Sequence, residues 1–182
     1  MVGGLLLLAF AYLAVGQAAA NRNSAQTAAD AAALAAALDT RDQLTEEWVQ
    51  NVRDPAKWQD IFNGLGVPFD GCARADQLAA QNDATVQCAE HPEWSSPGYK
   101  VVARTNQSVG DSIVPGTENQ HSTESATAVI ERRCEFELPG TGADPAVLPK
   151  LTCEDGVDWT LDPEDLTDLP KPEDLFDVHL AD

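Results

Sequence analysis

Hydrophobic and polar positions divide the chain into four stretches. Val2 to Ala20 reads VGGLLLLAFAYLAVGQAAA, 19 residues without a charge before Arg22. A membrane-spanning helix needs about 20, so residues 1–20 predict one anchor. The rival reading is a secretory signal cleaved after Ala18-Ala19-Ala20, a small-residue step. The absence of basic residues before the run, and the uninterrupted helical pattern through the step, favour the uncleaved anchor. A basic leader hidden by a misassigned start codon would account for the first of these.

Asn21 to about Val52 keeps a helical period. Ala31, Leu34, Ala35 and Leu38 fall at i, i+3, i+4 and i+7, and Leu44, Trp48 and Val52 continue at steps of four. Alanine has the highest intrinsic helix propensity. The residue before a proline disfavours helix, so Asp54 is the expected stop before Pro55. Anchor and alanine segment together predict one helix of about 50 residues, on the order of 75 Å at 1.5 Å per residue. Its small side chains suit close lateral packing against similar helices.

Residues 55–138 switch period repeatedly. A short helical turn is expected at 55–62, closed by Gly64, Gly66, Pro68 and Gly71. A compact amphipathic helix follows in CARADQLAAQND, with Cys72, Ala75, Leu78 and Ala79 on one side. Strands are expected at 84–88, 99–105 and 126–138, with a short one near 112–114. The longest alternates Thr127, Val129 and Glu131 with Ala128, Ile130 and Arg132. The expected fold is α+β: a long N-terminal helix, then a small domain of one helix and an antiparallel sheet of three or four strands.

Beyond Pro139, residues 139–182 turn Pro-, Gly- and acid-rich. Glu154 to Asp182 holds eleven Asp or Glu against the single base Lys171, and PEDL occurs twice. Low hydrophobicity and high charge predict a mobile extension. The sharper alternative is a docking peptide with Leu166, Leu169, Leu175 and Phe176 as anchors.

The formal net charge is −19. It argues against nucleic acid and against docking to anionic lipid. The four cysteines, Cys72, Cys88, Cys134 and Cys153, include no C-x-x-C, so zinc-site spacing is absent. Beyond a membrane segment, an even count suggests two disulfides in an oxidising compartment. Three connectivities are open, sequential pairing closing the shortest loops, and four buried reduced thiols are the alternative. His91, His121 and His179 lack ligand spacing, and Ser108 and Ser125 lack a nucleophile elbow. No phosphate-binding glycine loop occurs. EDGVDWTLDPED has acids near calcium-loop spacing without the loop's residue order. No enzyme constellation, cofactor, metal or small-molecule substrate is expected. Asp30 stands alone among alanines, either solvated or paired with a base such as Arg22 of a neighbouring subunit.

NRNSAQTAADAAALAAA, following an apolar segment, resembles the N-terminal region of the TadE/TadG-like Flp pilus-assembly proteins. Gln26, Ala28, Ala29, Asp30, Ala31, Ala32, Ala33, Leu34 and Ala35 carry the resemblance. CARADQLAAQNDATVQC resembles the cysteine-bounded helix–strand unit of the actinobacterial members, which supports pairing Cys72 with Cys88. The resemblance covers residues 5–38 and, less closely, 72–136. It implies a minor pilin, pseudopilin or anchored assembly factor of a tight-adherence pilus, outside the cell membrane. Its partners would be similar pilin-like subunits and the Tad assembly platform. Pilin leaders usually carry basic residues, and a glutamate follows the processing site. This chain shows neither, so leader cleavage is not carried over.

Overall fold

A computed structural model describes residues 2–68, 70–90, 96–108, 119–138 and 147–181. The strand expected near 112–114 lies outside these residues.

Helix α1 runs unbroken from Val2 to Gln50. The turn that ends it passes through a single 3-10 turn, Pro55–Lys57, into the short helix α2, Trp58–Phe62. Helix α3, Gly71–Gln81, leads through Asp83, whose φ is +51°, directly into β1, Ala84–Glu90. Strands β2, Gly98–Thr105, and β3, Thr123–Arg132, follow. They form an antiparallel sheet with β7, Phe176–Leu180, in the order β1-β2-β3-β7.

One face of this sheet lies against α1. Tyr99, Val101 and Ala103 of β2 and Ala126, Ala128 and Ile130 of β3 recur at period two and are buried. Opposite them Ala25, Ala28, Ala29, Ala32, Ala33, Ala36 and Ala37 of α1 are buried as well. Alanine on both surfaces removes side-chain bulk from the interface, so helix and sheet backbones approach closely. Thus the alanines that suggested packing against other helices have a partner in their own chain.

The long strand expected over 126–138 is divided at Arg133. Its backbone N–H donates to Leu175 O at 2.8 Å, and its carbonyl accepts from Glu154 N–H at 2.8 Å. Past this joint, β4, Cys134–Phe136, pairs in a second antiparallel sheet with β5, Leu151–Cys153, which pairs with β6, Asp158–Trp159. Strand alternation alone cannot signal a change of partner when the residues on both sides suit a strand.

The expectation of a mobile C-terminal extension is corrected for 147–181. Composition counted the acids and outweighed a few apolar anchors: Leu148, Leu151, Leu161, Leu175 and Phe176 are buried in the shared core. The two PEDL copies fold differently. Around the first, Asp162 and Asp165 carboxylates accept backbone N–H groups two residues on, from Glu164 and Thr167, making tight turns. The second is helix α4, Pro172–Leu175. There Asp174 accepts from Lys171 N–H at 2.8 Å, and Pro172 opens the helix, where a missing N–H costs nothing. Strand β7 then covers the outer edge of β3, pairing Ala128 with Leu180 through Arg132 with Phe176.

Candidate functional site

Helix α1 has two halves with different surroundings. From Val2 to Ala20 every described side chain is exposed, including Val2, Leu5, Leu8, Tyr12 and Val15. An unbroken exposed apolar helix of this length is unstable in water, since it buries none of its hydrophobic surface. It is long and apolar enough to cross a membrane. From Ala25 onward the helix is built into the head.

The change occurs at Asn21, without a stalk. Asn21 Nδ2 donates to Gln107 O at 3.3 Å, and Thr105 Oγ1 donates to Asn21 Oδ1 at 3.0 Å. Arg22 Nε lies 2.6 Å from Glu124 Oε1. Asp30 accepts from Gln26 Nε2 at 2.7 Å, one turn earlier on its own helix. Both residues of the intersubunit ion pair, the alternative to a solvated Asp30, therefore have partners within the chain.

Ala31, Leu34, Ala35 and Leu38, the expected packing stripe, lie beside α3. With Asp39 and Leu78 they line part of an open groove of about 640 Å³ between the two helices. Ala35 is buried, Ala31 and Leu34 are half-buried, and Leu38 is exposed at the rim. Gly71 of α3 lies tight against the backbone of α1. A β-carbon there would lie 2.6 Å from Ala36 O and 2.7 Å from Tyr99 Cζ. Only glycine permits this approach, so Gly71, first read as a loop breaker, is a packing residue.

Tyr99, beside Gly71, is buried, and its hydroxyl lies 2.7 Å from Thr40 Oγ1, itself buried. Burial pushes the phenol pKa up, opposed in part by the hydrogen bond to Thr40. This cross-link between α1 and the sheet escaped sequence reasoning. The alternation of Tyr99, Val101 and Ala103 identified an inward face, but nothing local named Thr40 as partner.

At the far end of the head, Trp48 of α1 meets Trp58 and Phe62 edge-on, with ring centroids 5.5 and 6.4 Å apart. Phe136 packs on Trp58 and Phe62 at 5.3 and 5.5 Å, and Phe176 on Phe62 at 5.2 Å. The proposed docking anchors belong to this region. Leu175 and Phe176 are buried, while Leu166 and Leu169 pack half-buried against the core. They are occupied by the chain itself.

Disulfides join Cys72 to Cys88 and Cys134 to Cys153. The first ties α3 to β1, the second β4 to β5. Sequential pairing is thus the connectivity present. His121 Nδ1 lies 2.7 Å from Thr105 O, and His179 Nδ1 lies 2.8 Å from Asp177 Oδ2; His91 lies outside the described residues. Ser125 is exposed on β3. Lys150 beside Asp158 holds its carboxyl below the usual range, and hydrogen bonds from Thr167 do the same for Asp165. Among the described residues no group of three or more His, Cys, Asp or Glu is placed to hold a metal ion. The surface best fitted for function is therefore the exposed apolar half of α1 and the end of the head from which it emerges.

Comparison with known proteins points the same way. Residues 1–39 match the family described as putative Flp pilus-assembly TadE/G-like. The match spans the apolar half of α1 and runs through the alanine segment to Asp39. No curated protein and no solved structure matches the chain.

Proposed function

We propose that this protein is a structural or assembly component of a Tad/Flp pilus system, of minor-pilin or pseudopilin character. The apolar half of α1 anchors it in the cell membrane and packs with the helices of similar subunits or of the assembly platform. The head stands outside the membrane. The observation that carries this reading is the coincidence of the family match over residues 1–39 with the exposed apolar run of α1. Two disulfides in the head support an oxidising, extracytoplasmic compartment. The role is structural: the helix supplies adhesion between subunits, and the head supplies shape.

Gene deletion in the native host tests it. Flp pili should be lost or sharply reduced, and the intact gene should restore them. A Leu8→Lys variant, charged in the middle of the exposed run, should fail to restore them while its head still folds and forms both disulfides. Normal pili in the deletion strain would overturn the proposal.

A further inference from the structure

The antiparallel register gathers particular loops at the end of the head nearest the apolar half of α1. Ala84, the start of β1, pairs with Thr105, the end of β2. Arg104 pairs with Thr123, the start of β3. The turn at Asn82–Asp83, the segment 106–108 and the approach to β3 therefore share one end. The helix reaches this end at Gln17, Asn21 and Ser24, which follow one another at i, i+4 and i+7 on one face. Between helix and head lies a cleft of about 310 Å³, lined by those three residues with Asn82, Asp83 and Gln107.

Two features set this end apart. It is rich in amides, which hydrogen-bond without adding charge. Its charges also offset one another: among the described residues there, Asp83 and Glu124 stand against Arg22 and Arg104. The chain as a whole carries −19, and the acid-rich segment after Cys153 meets the opposite end of the head through Phe176, which packs on Phe62 of the Trp48 cluster, and through the Pro163 carbonyl, which accepts from Arg53 just past α1. That opposite end is about 45 Å away along α1, at 1.5 Å per residue from Ala20 to Gln50. A strongly acidic surface is repelled by an anionic bilayer, and the described residues at the end facing the anchor carry as many bases as acids.

We propose that this amide-rich end of the head rests in the headgroup layer of the bilayer that holds the anchor, with lipid headgroups entering the Gln17–Asn21–Asn82–Gln107 cleft. The inference rests on reading the apolar half of α1 as the membrane anchor. Because head contacts begin at Asn21, immediately after the apolar run, the chain has no spacer to lift the head away. The bilayer thus fixes the orientation of the head, with α1 upright and the Trp48 cluster farthest from the surface.

Depth-dependent quenching tests this with the full chain in phosphatidylcholine vesicles. The native cysteines are all in disulfides, so an added cysteine can be labelled alone with an environment-sensitive fluorophore. Three variants serve: Leu8→Cys in the apolar run, Gln107→Cys at the cleft and Gln59→Cys in α2, all at exposed positions. Lipids carrying a nitroxide on the headgroup should quench the label at Gln107 and spare that at Gln59. Lipids carrying a nitroxide deep in the acyl chain should quench the label at Leu8. Quenching at Leu8 with equal headgroup quenching at Gln107 and Gln59, or none at either, would overturn the docked head while leaving the anchor intact. Absence of quenching at Leu8 would overturn the anchor, and the docked head with it.

Discussion

At Gly71 and Tyr99 single atoms decide whether helix and sheet can meet. Gly71→Ala forces a methyl group to within 2.6 Å of Ala36 O, which belongs to helix backbone and cannot swing aside. Such overpacking costs about 1–3 kcal/mol. Denaturant unfolding of the full chain in detergent should show that loss, whereas Ala73→Gly, at an exposed α3 position, should cost at most about 1 kcal/mol, the helix-propensity difference. Tyr99→Phe removes the hydroxyl that meets Thr40, and leaving one buried partner unsatisfied costs about 1–3 kcal/mol. The same phenol makes stability depend on alkaline pH. Its folded pKa is raised, so the native state keeps the proton that the unfolded chain gives up at about pH 10. The contribution of the neutral phenol is complete below that pH and is lost as pH rises through the folded value. Thermal melts should therefore fall more steeply above pH 10 for the native chain than for Tyr99→Phe, and equal slopes would contradict the assignment.

Among the elements, those with strong local periodicity were legible in the sequence, and those held by distant partners were not. The helix over 2–50, the stop before Pro55, α3 and β1 to β3 each follow from spacing or from a proline or glycine boundary. The division at Arg133 did not, because its backbone partners, Leu175 and Glu154, lie far along the chain. Nor did the return of the tail, since two identical PEDL segments take different conformations, one a pair of tight turns and the other a helix. This return has a measurable consequence. A chain ending at Lys171 loses α4 and β7 with the buried Leu175 and Phe176, so it should unfold at markedly lower denaturant concentration than the full chain. Unchanged stability would restore the picture of a free extension. The Cys134–Cys153 bridge closes a loop with a sequence separation of 19, worth about 3 kcal/mol in the chain-entropy model. Replacing both cysteines by alanine should lower stability by roughly that amount, read by denaturant midpoint.

As a whole the molecule is one helix with two environments. Its alanine half is fixed into a small head by matching alanines on the sheet, and its apolar half is exposed, with no side chain buried among the described residues. In the sequence the two halves appeared as one long helix for packing with its own kind. Hydropathy located the boundary, but small side chains suit a helix neighbour and a sheet neighbour equally, so composition could not assign the alanines to the head. The family match to residues 1–39 takes in both halves, while the structure exposes every described side chain of the first and buries one side of the second. Contacts between subunits should accordingly concentrate in the apolar half. The most direct measurement is disulfide crosslinking in cells that express the pilus system, with Leu13→Cys in the apolar half and Glu46→Cys on the exposed side of the head half. Adducts with pilus components or a second copy at Leu13, and few or none at Glu46, are the predicted result. A Leu13 cysteine that forms no adduct while pili assemble normally would contradict the account.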